Sequence, residues 1–312
     1  MKARTSMFHR FFAPIGICVV LLTFASTISA KHSVPSVRTS IPDRVQTPYV
    51  GAITVDAASG KVLFEDNADS IGYPASVQKI MTLYVILDKV SQGAVKLDES
   101  VPVTVEASKI GGSQVYLDPR EHFPVEDLLY ALIVHSANDA AVALVSHVAG
   151  NKESFVDLMN KKAEELGMKN TKFHSVHGLP PTDNQEPDVT TARDLAILGR
   201  ALVLKHPEAL KYTSTKVREF RDGKFIMRNH DHLLATFTGC DGLKTGYFKQ
   251  AGYSIVATAM RNNMRVVTVI LGADKGLNPM RPYGGRDSKA AELMNKGFAA
   301  LAAQSATKPQ GK

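Results

Sequence analysis

Strand-like sequence gathers at the two ends of this chain, and the middle carries helical periodicity. Residues 49–64 (YVGAITVDAASGKVLF) read as two strands joined by a turn at Ser59-Gly60. Two β-branched runs near the other end, 252–259 (GYSIVATA) and 265–272 (RVVTVILG), are joined by Asn262-Asn263, and Asp222-Gly223 is a further hairpin signal. Between them, residues 75–91 (ASVQKIMTLYVILDKVS) are apolar enough for a mostly buried helix. Residues 124–150 suit a helix pair broken at Ser136–Asn138. Residues 153–166 form an amphipathic helix stopped by Gly167, and Thr191 starts another helix that runs to about Lys205. A helix over 287–303 closes the pattern. This order predicts an α/β chain of the α+β kind: one antiparallel sheet completed by both ends of the chain, flanked by helices, with a helical insertion.

The first thirty residues stand apart. Lys2, Arg4 and Arg10 give a positive start, Ile15–Ala25 (IGICVVLLTFA) is an apolar core, and Ile28-Ser29-Ala30 is a small-residue cleavage site. A secretory signal peptide and an uncleaved anchor both fit, and the short apolar core favours cleavage. A polar, proline-bearing linker follows over 31–48. Removal of the leader takes the net charge from +7 to +4 and leaves Cys240 as the single cysteine, so no internal disulfide can form. Such a charge suits an anionic environment without naming a partner. The expected organisation is a leader over 1–30, a linker over 31–48, one domain over 49–303 and a loose tail over 304–312.

Three short motifs carry chemistry. Ser76-Val77-Gln78-Lys79 places a hydroxyl near a helix N-terminus and an amine one turn on, on the same face, which can activate a serine without histidine. Ser136-Ala137-Asn138 offers two hydrogen-bonding side chains at a helix break. Lys244-Thr245-Gly246 puts a cation, a hydroxyl and a glycine on an exposed strand, suited to a carboxylate and to close backbone approach. Each alone is equally a helix cap or a turn. Together, and in this order, they match the Ser-x-x-Lys, Ser-x-Asn and Lys-Thr-Gly set of penicillin-binding proteins and class A β-lactamases.

The match extends well beyond these motifs. Residues 74–82 (PASVQKIMT), 136–140 (SANDA), Phe173 with His177-Gly178-Leu179, 191–194 (TARD), 239–247 (GCDGLKTGY), 251–252, 256–259, 271–273, Arg286 and Gly297-Phe298 resemble blocks of the low-molecular-mass D-alanyl-D-alanine carboxypeptidases of the DacA type, over about residues 48–300. The resemblance implies a β-lactamase/DD-peptidase-like fold with an inserted all-helical subdomain. It also implies roles. Ser76 is the nucleophile and Lys79 its base; Ser136, Asn138 and Lys244 assist; the backbone N–H groups of Ser76 and Tyr247 form the oxyanion hole. Lys244, Thr245, Gly246 and Arg286 bind substrate. The implied substrate is a peptidoglycan stem peptide ending in D-Ala-D-Ala, with β-lactams as covalent inhibitors, no cofactor or metal, no nucleic acid, and membrane contact only through an uncleaved N-terminus. The expected location is outside the cytoplasm, in the periplasm or envelope of a bacterium. Departures are Ala137 for glycine, Ser175 for asparagine, Asp231 for the second asparagine of an N-x-N-x-L-L block (here 229–234, NHDHLL), and an expected lack of a C-terminal β-domain and anchor helix.

Alternatives remain. A class A β-lactamase would carry a glutamate in a loop corresponding to Met168–Pro181, and there is none. A DD-endopeptidase acting on cross-links, or a non-catalytic binding module, shares the motifs. His174-x-x-His177 and His230-x-His232 lack a third metal ligand with convincing spacing. Cys240 is read as a small apolar residue in place of the family's valine, or as a thiol whose modification blocks the cleft.

Overall fold

The computed structural model describes residues 48–274 and 282–307. The expected leader and all of the linker except Pro48 lie outside the described residues. The first hairpin is β1 (Gly51–Asp56) and β2 (Val62–Asp66). A 3-10 turn, Ala75–Gln78, runs directly into α1 (Lys79–Ser91). The insertion continues with β3 (Ser100–Pro102), α2 (Val105–Lys109), β4 (His122–Pro124), α3 (Val125–Val134), α4 (Asn138–Ala149), α5 (Lys152–Leu166) and α6 (Ala192–Lys205). Then come α7 (Leu210–Thr213), β5 (Val217–Phe220), β6 (Phe225–Arg228), α8 (Leu233–Thr236), β7 (Cys240–Phe248), β8 (Gly252–Arg261), β9 (Met264–Ala273) and α9 (Pro282–Thr307).

The main sheet is antiparallel in the order β2-β1-β9-β8-β7, so the first hairpin docks onto the last strand rather than onto its sequence neighbours. Register follows the alternation of side chains. Ala52, Ile255, Val266 and Ile270 face α9 and pack with Leu293, Met294 and Phe298. Their neighbours Ile53, Val256, Val267 and Leu271 face the other way, into the core shared with Leu195, Leu198 and Leu202 of α6. A sheet covered on both faces explains why its strands read as near-continuous apolar runs. Even its buried polar pair is matched, Thr54 Oγ1 lying 2.9 Å from Thr268 Oγ1 across β1 and β9.

Helix boundaries follow local chemistry. Asn151 caps α5 by accepting from Ser154 N (2.7 Å), and Thr191 caps α6 by accepting from Asp194 N (3.1 Å). Three expectations need revision. The insertion is helical except for two ribbons, β3–β4, which was not expected, and β5–β6, the hairpin that Asp222-Gly223 signalled. The last helix starts earlier than 287 and continues through Thr307, because 299–303 (AALAA) are strong helix formers, so only 308–312 of the expected tail fall outside the described residues. The third motif lies within the edge strand β7, yet Lys244 and Thr245 are only 2% and 6% exposed. The Ala75–Gln78 turn and α7 pack against that strand and take the place of solvent.

Candidate active site

The site forms where the start of α1, the α3–α4 break and β7 meet. Ser76 lies in the 3-10 turn, so Lys79 begins α1 directly beneath it. Lys79 Nζ is 3.0 Å from Ser76 Oγ, 2.7 Å from Asn138 Oδ1 and 2.7 Å from the carbonyl oxygen of His177. The lysine is fully buried. Burial pushes its pKa well below the ordinary lysine value, the Lys244 charge pushes the same way, and Asp139 and Asp188 oppose. A neutral amine has two N–H groups and one lone pair. Asn138 Oδ1 and the His177 carbonyl can only accept, so they take both hydrogens and the lone pair faces the Ser76 hydroxyl. The geometry therefore orients a general base at its nucleophile.

Backbone conformation shapes the same corner. Ala75 (φ 49°) and Ser136 (φ 59°) are non-glycine residues in the left-handed region, each beside or within a motif. The left-handed Ser136 ends α3 and lets α4 restart at Asn138. Asn138 is held at both ends of its side chain, its Nδ2 donating to the Gly111 carbonyl at 2.7 Å. Asp139, fully buried, accepts from the backbone N–H groups of Val115, Leu117 and Ala140 and ties the 111–117 loop beneath the break. On the opposite side, Asp188 accepts from His174 N, Ser175 N and Ser175 Oγ, and Gln78 Nε2 donates to Ser175. These contacts fix the loop whose His177 carbonyl faces Lys79. Ser175 thus serves as a connector where the family pattern has asparagine.

On β7, Gly246 makes the close approach that brings the strand to the serine. A Cβ there would meet Ser76 N at 2.9 Å, Pro74 O at 3.0 Å and Val77 N at 3.0 Å. Lys244 Nζ donates to the Thr245 carbonyl (3.1 Å). Burial lowers the Lys244 pKa to about 7, with Asp231 opposing and Arg286 adding to the fall. Arg286 is buried, its Nε and Nη2 donating to Asp287 Oδ1 at 2.8 and 2.5 Å and its Nη1 reaching the Ser254 carbonyl at 3.4 Å. A cleft of about 830 Å³ is lined by Ser76, Ser136, Thr245, Gly246, Tyr247 and Arg286, among others. The exposed Tyr247 ring stacks on Tyr253 at 4.2 Å and forms part of the rim.

The structure therefore gathers every site residue singled out from the sequence. Ser136 lines the cleft, and among the described residues its hydroxyl makes no hydrogen bond to Lys79 or Lys244. Gly112 was not singled out, and His177, Asp139 and Gly178 entered only as members of family blocks, with no role in the site assigned to them. The glycines had a signal: both have positive φ, and a Cβ would sit 2.5 Å from Asn138 Nδ2 at Gly112 and 2.2 Å from Ala75 O at Gly178. His135 and His230 also line the cleft as a ring pair 5.9 Å apart. Burial lowers both, His230 to about 4. Cys240 is half-buried with Sγ 3.7 Å from the Gly242 carbonyl, and burial pushes its thiol up to about 12. It sits there as an un-ionised, apolar-like side chain.

A lysine-activated serine at a helix start, facing a Lys-Thr-Gly edge strand, defines a serine acyl-transfer enzyme class, the one to which penicillin-binding proteins belong. Residues 40–275 match the peptidase S11 family, described as D-alanyl-D-alanine carboxypeptidase, and the chain belongs to that family. It is 41% identical over 239 residues to the D-alanyl-D-alanine carboxypeptidase DacC of Escherichia coli (strain K12), covering 73% of this chain and 58% of that one. It is 32% identical over 263 residues to a D-alanyl-D-alanine endopeptidase of Pseudomonas aeruginosa, covering 82% and 81%. Among solved structures, penicillin-binding protein D2 of Listeria monocytogenes in its ampicillin-bound form superposes with a TM-score of 0.72 at 31% identity, over 82% of this chain and 99% of that one. The chain spans 58–66% of the length of the first curated carboxypeptidases it matches.

Proposed function

We propose that this chain is a serine-type D-alanyl-D-alanine carboxypeptidase that removes the terminal D-alanine from peptidoglycan stem pentapeptides through an acyl-enzyme. The observation that carries the reading is Lys79, buried, with Nζ 3.0 Å from Ser76 Oγ and its two other contacts made to groups that can only accept. Ser76 attacks the carbonyl between the two D-alanines and passes its proton to Lys79. The N–H groups of Ser76 and Tyr247 hold the oxyanion, a contact worth about 3–4 kcal/mol per donor. Collapse breaks the C–N bond, and the proton held by Lys79 is relayed through the Ser136 hydroxyl to the departing amine, which leaves Lys79 neutral again. Water then hydrolyses the ester and restores the hydroxyl. Lys244, Thr245 and Arg286 bind the terminal carboxylate. Burial and the nearby Lys244 charge both push Lys79 toward the neutral form that a general base requires.

The protein acts outside the cytoplasm, in a bacterial envelope, after export directed by residues 1–30. The charged start, apolar core and small-residue end of that segment support this reading. β-Lactams acylate Ser76, as the resemblance to a β-lactam-binding relative suggests. The endopeptidase relative gives a second reading, cleavage of D-Ala-containing cross-links in the same cleft. Mass spectrometry of defined muropeptides incubated with the protein separates the two: loss of one D-alanine from pentapeptides supports the first, and cleavage of dimers with pentapeptides untouched supports the second. A Ser76→Ala chain that still binds fluorescent penicillin covalently would refute both.

A further inference from the structure

Among the described residues, Lys244 is a buried cation without an ion-pair partner. It is 2% exposed, and its ammonium donates only to the neighbouring Thr245 carbonyl. Burying an unpaired ammonium is unfavourable, so a nearby anion is needed if it is to stay charged. Three carboxylates, Asp231, Asp241 and Asp287, act on Cys240 of β7, the strand that carries Lys244, and two are committed. Asp241 is held by Arg265 through two bonds of 2.7 and 2.8 Å. Asp287 is shared between Arg286 and His232. Asp231 is different. It is 4% exposed, its Oδ1 accepts from Leu233 N at 2.9 Å at the start of α8, and its Oδ2 has no hydrogen-bond partner among the described residues.

We propose that Asp231 is a positioning residue that keeps Lys244 charged and so sets how strongly the cleft grips a substrate's terminal carboxylate. The inference rests on the carboxypeptidase reading and deepens it. Asp231 also departs from the asparagine of the family's N-x-N-x-L-L block. An asparagine would offer Leu233 the same Oδ1 acceptor with no charge.

The surrounding charges agree. Asp231 is the single group acting against burial at Lys244, while Arg286 works with burial. Burial raises Asp231 itself to about 6, with Arg286 and Lys244 from α9 and β7 pulling it down and Asp287 pushing it up. Cys240 on β7 also feels Asp231 and stays protonated, and His230 and His232 flank it in sequence. As the pH falls through about 6, Asp231 takes up a proton and its pull on Lys244 fades. Above pH 6 the ionised Asp231 prolongs the charged state of Lys244 toward higher pH.

The test is Asp231→Asn in the full chain, with acylation by a fluorescent penicillin followed against pH and the same probe as its carboxyl ester for comparison. The expected result is an alkaline limb moved down by about one pH unit for the free acid. That amounts to roughly three- to tenfold slower acylation near pH 7. Equal rates are expected at pH 5.5, with a smaller shift for the ester, which lacks the carboxylate but still depends on Lys79 beside Lys244. Coincident profiles, or an equal shift with the ester, would overturn the proposal. NMR titration of the Lys244 ε-carbon, assigned by its loss in Lys244→Arg, decides the point without any activity: a lower midpoint in Asp231→Asn supports it, and an unchanged midpoint overturns it. A parent chain that is never acylated counts against the carboxypeptidase reading, while the NMR midpoint still decides the role of Asp231.

Discussion

The substitution Gly246→Ala isolates the contact that joins β7 to the nucleophile. The added methyl would lie 2.9 Å from Ser76 N and 3.0 Å from both Pro74 O and Val77 N. All three neighbours are backbone atoms, so no side chain can swing away. Carbon contacts settle near 3.5–4.0 Å, and the strand and the serine turn must therefore separate by about 0.6 Å or more. Overpacking of this kind costs about 1–3 kcal/mol of stability, a fall in melting temperature of roughly 2–12 °C for a domain this size. The larger effect falls on chemistry. The same separation moves the Tyr247 N–H away from the Ser76 N–H, and loss of one oxyanion donor lowers rates by about 10²–10³-fold. The assay is the second-order rate constant for acylation by fluorescent penicillin, with thermal unfolding measured in parallel. A folded variant that acylates within threefold of the parent would refute the close-approach argument and the oxyanion hole built on it.

Three other outcomes follow from the described contacts. Lys79→Met should abolish penicillin labelling. Because the native lysine is held below its unfolded pKa, the folded chain binds fewer protons in that window and native stability rises with pH. The melting temperature of Lys79→Met relative to the parent should thus be more favourable at pH 6 than at pH 9, and a pH-independent difference would contradict a neutral Lys79. Asp139→Ala strands three buried N–H groups, of Val115, Leu117 and Ala140, and should destabilise by about 3–5 kcal/mol, or roughly 10 °C by calorimetry. A thiol reagent at pH 8 should label Cys240 at least ~10²-fold more slowly in the native chain than in urea, since its thiol is pushed up to about 12, and Cys240→Val should acylate within twofold of the parent.

The sheet, the broken helix pair and the three motifs were legible because each depends on local pattern. Near-continuous β-branched runs bounded by turn signals read as strands, and Ser76 and Lys79 are one turn apart wherever that segment is helical. Less legible were contacts made by backbone and by distant loops. The His177 carbonyl that completes the Lys79 environment belongs to a segment 98 residues away, and nothing in a carbonyl's own residue type announces it. The burial of Lys244 and Thr245 was missed because the third motif alone resembles an exposed edge, and only packing by the Ala75–Gln78 turn covers it. The role of Asp231 was hidden for a related reason: its significance lies in Asp241 and Asp287 being committed to other partners, which no spacing reveals.

The sheet order also has a bearing on how the chain reaches its native state. β1 pairs with β9, and Thr54 meets Thr268 at a sequence separation of 214. Such non-local pairing gives slow, late closure, because the entropy of a very long loop is lost before the strands reward it. An unfinished or partly folded chain therefore has a serine and a lysine one turn apart but no Lys-Thr-Gly strand against them. The reactive centre comes into being only with the last cooperative step of folding, so a reactive β-lactam reports on completed molecules and passes over intermediates.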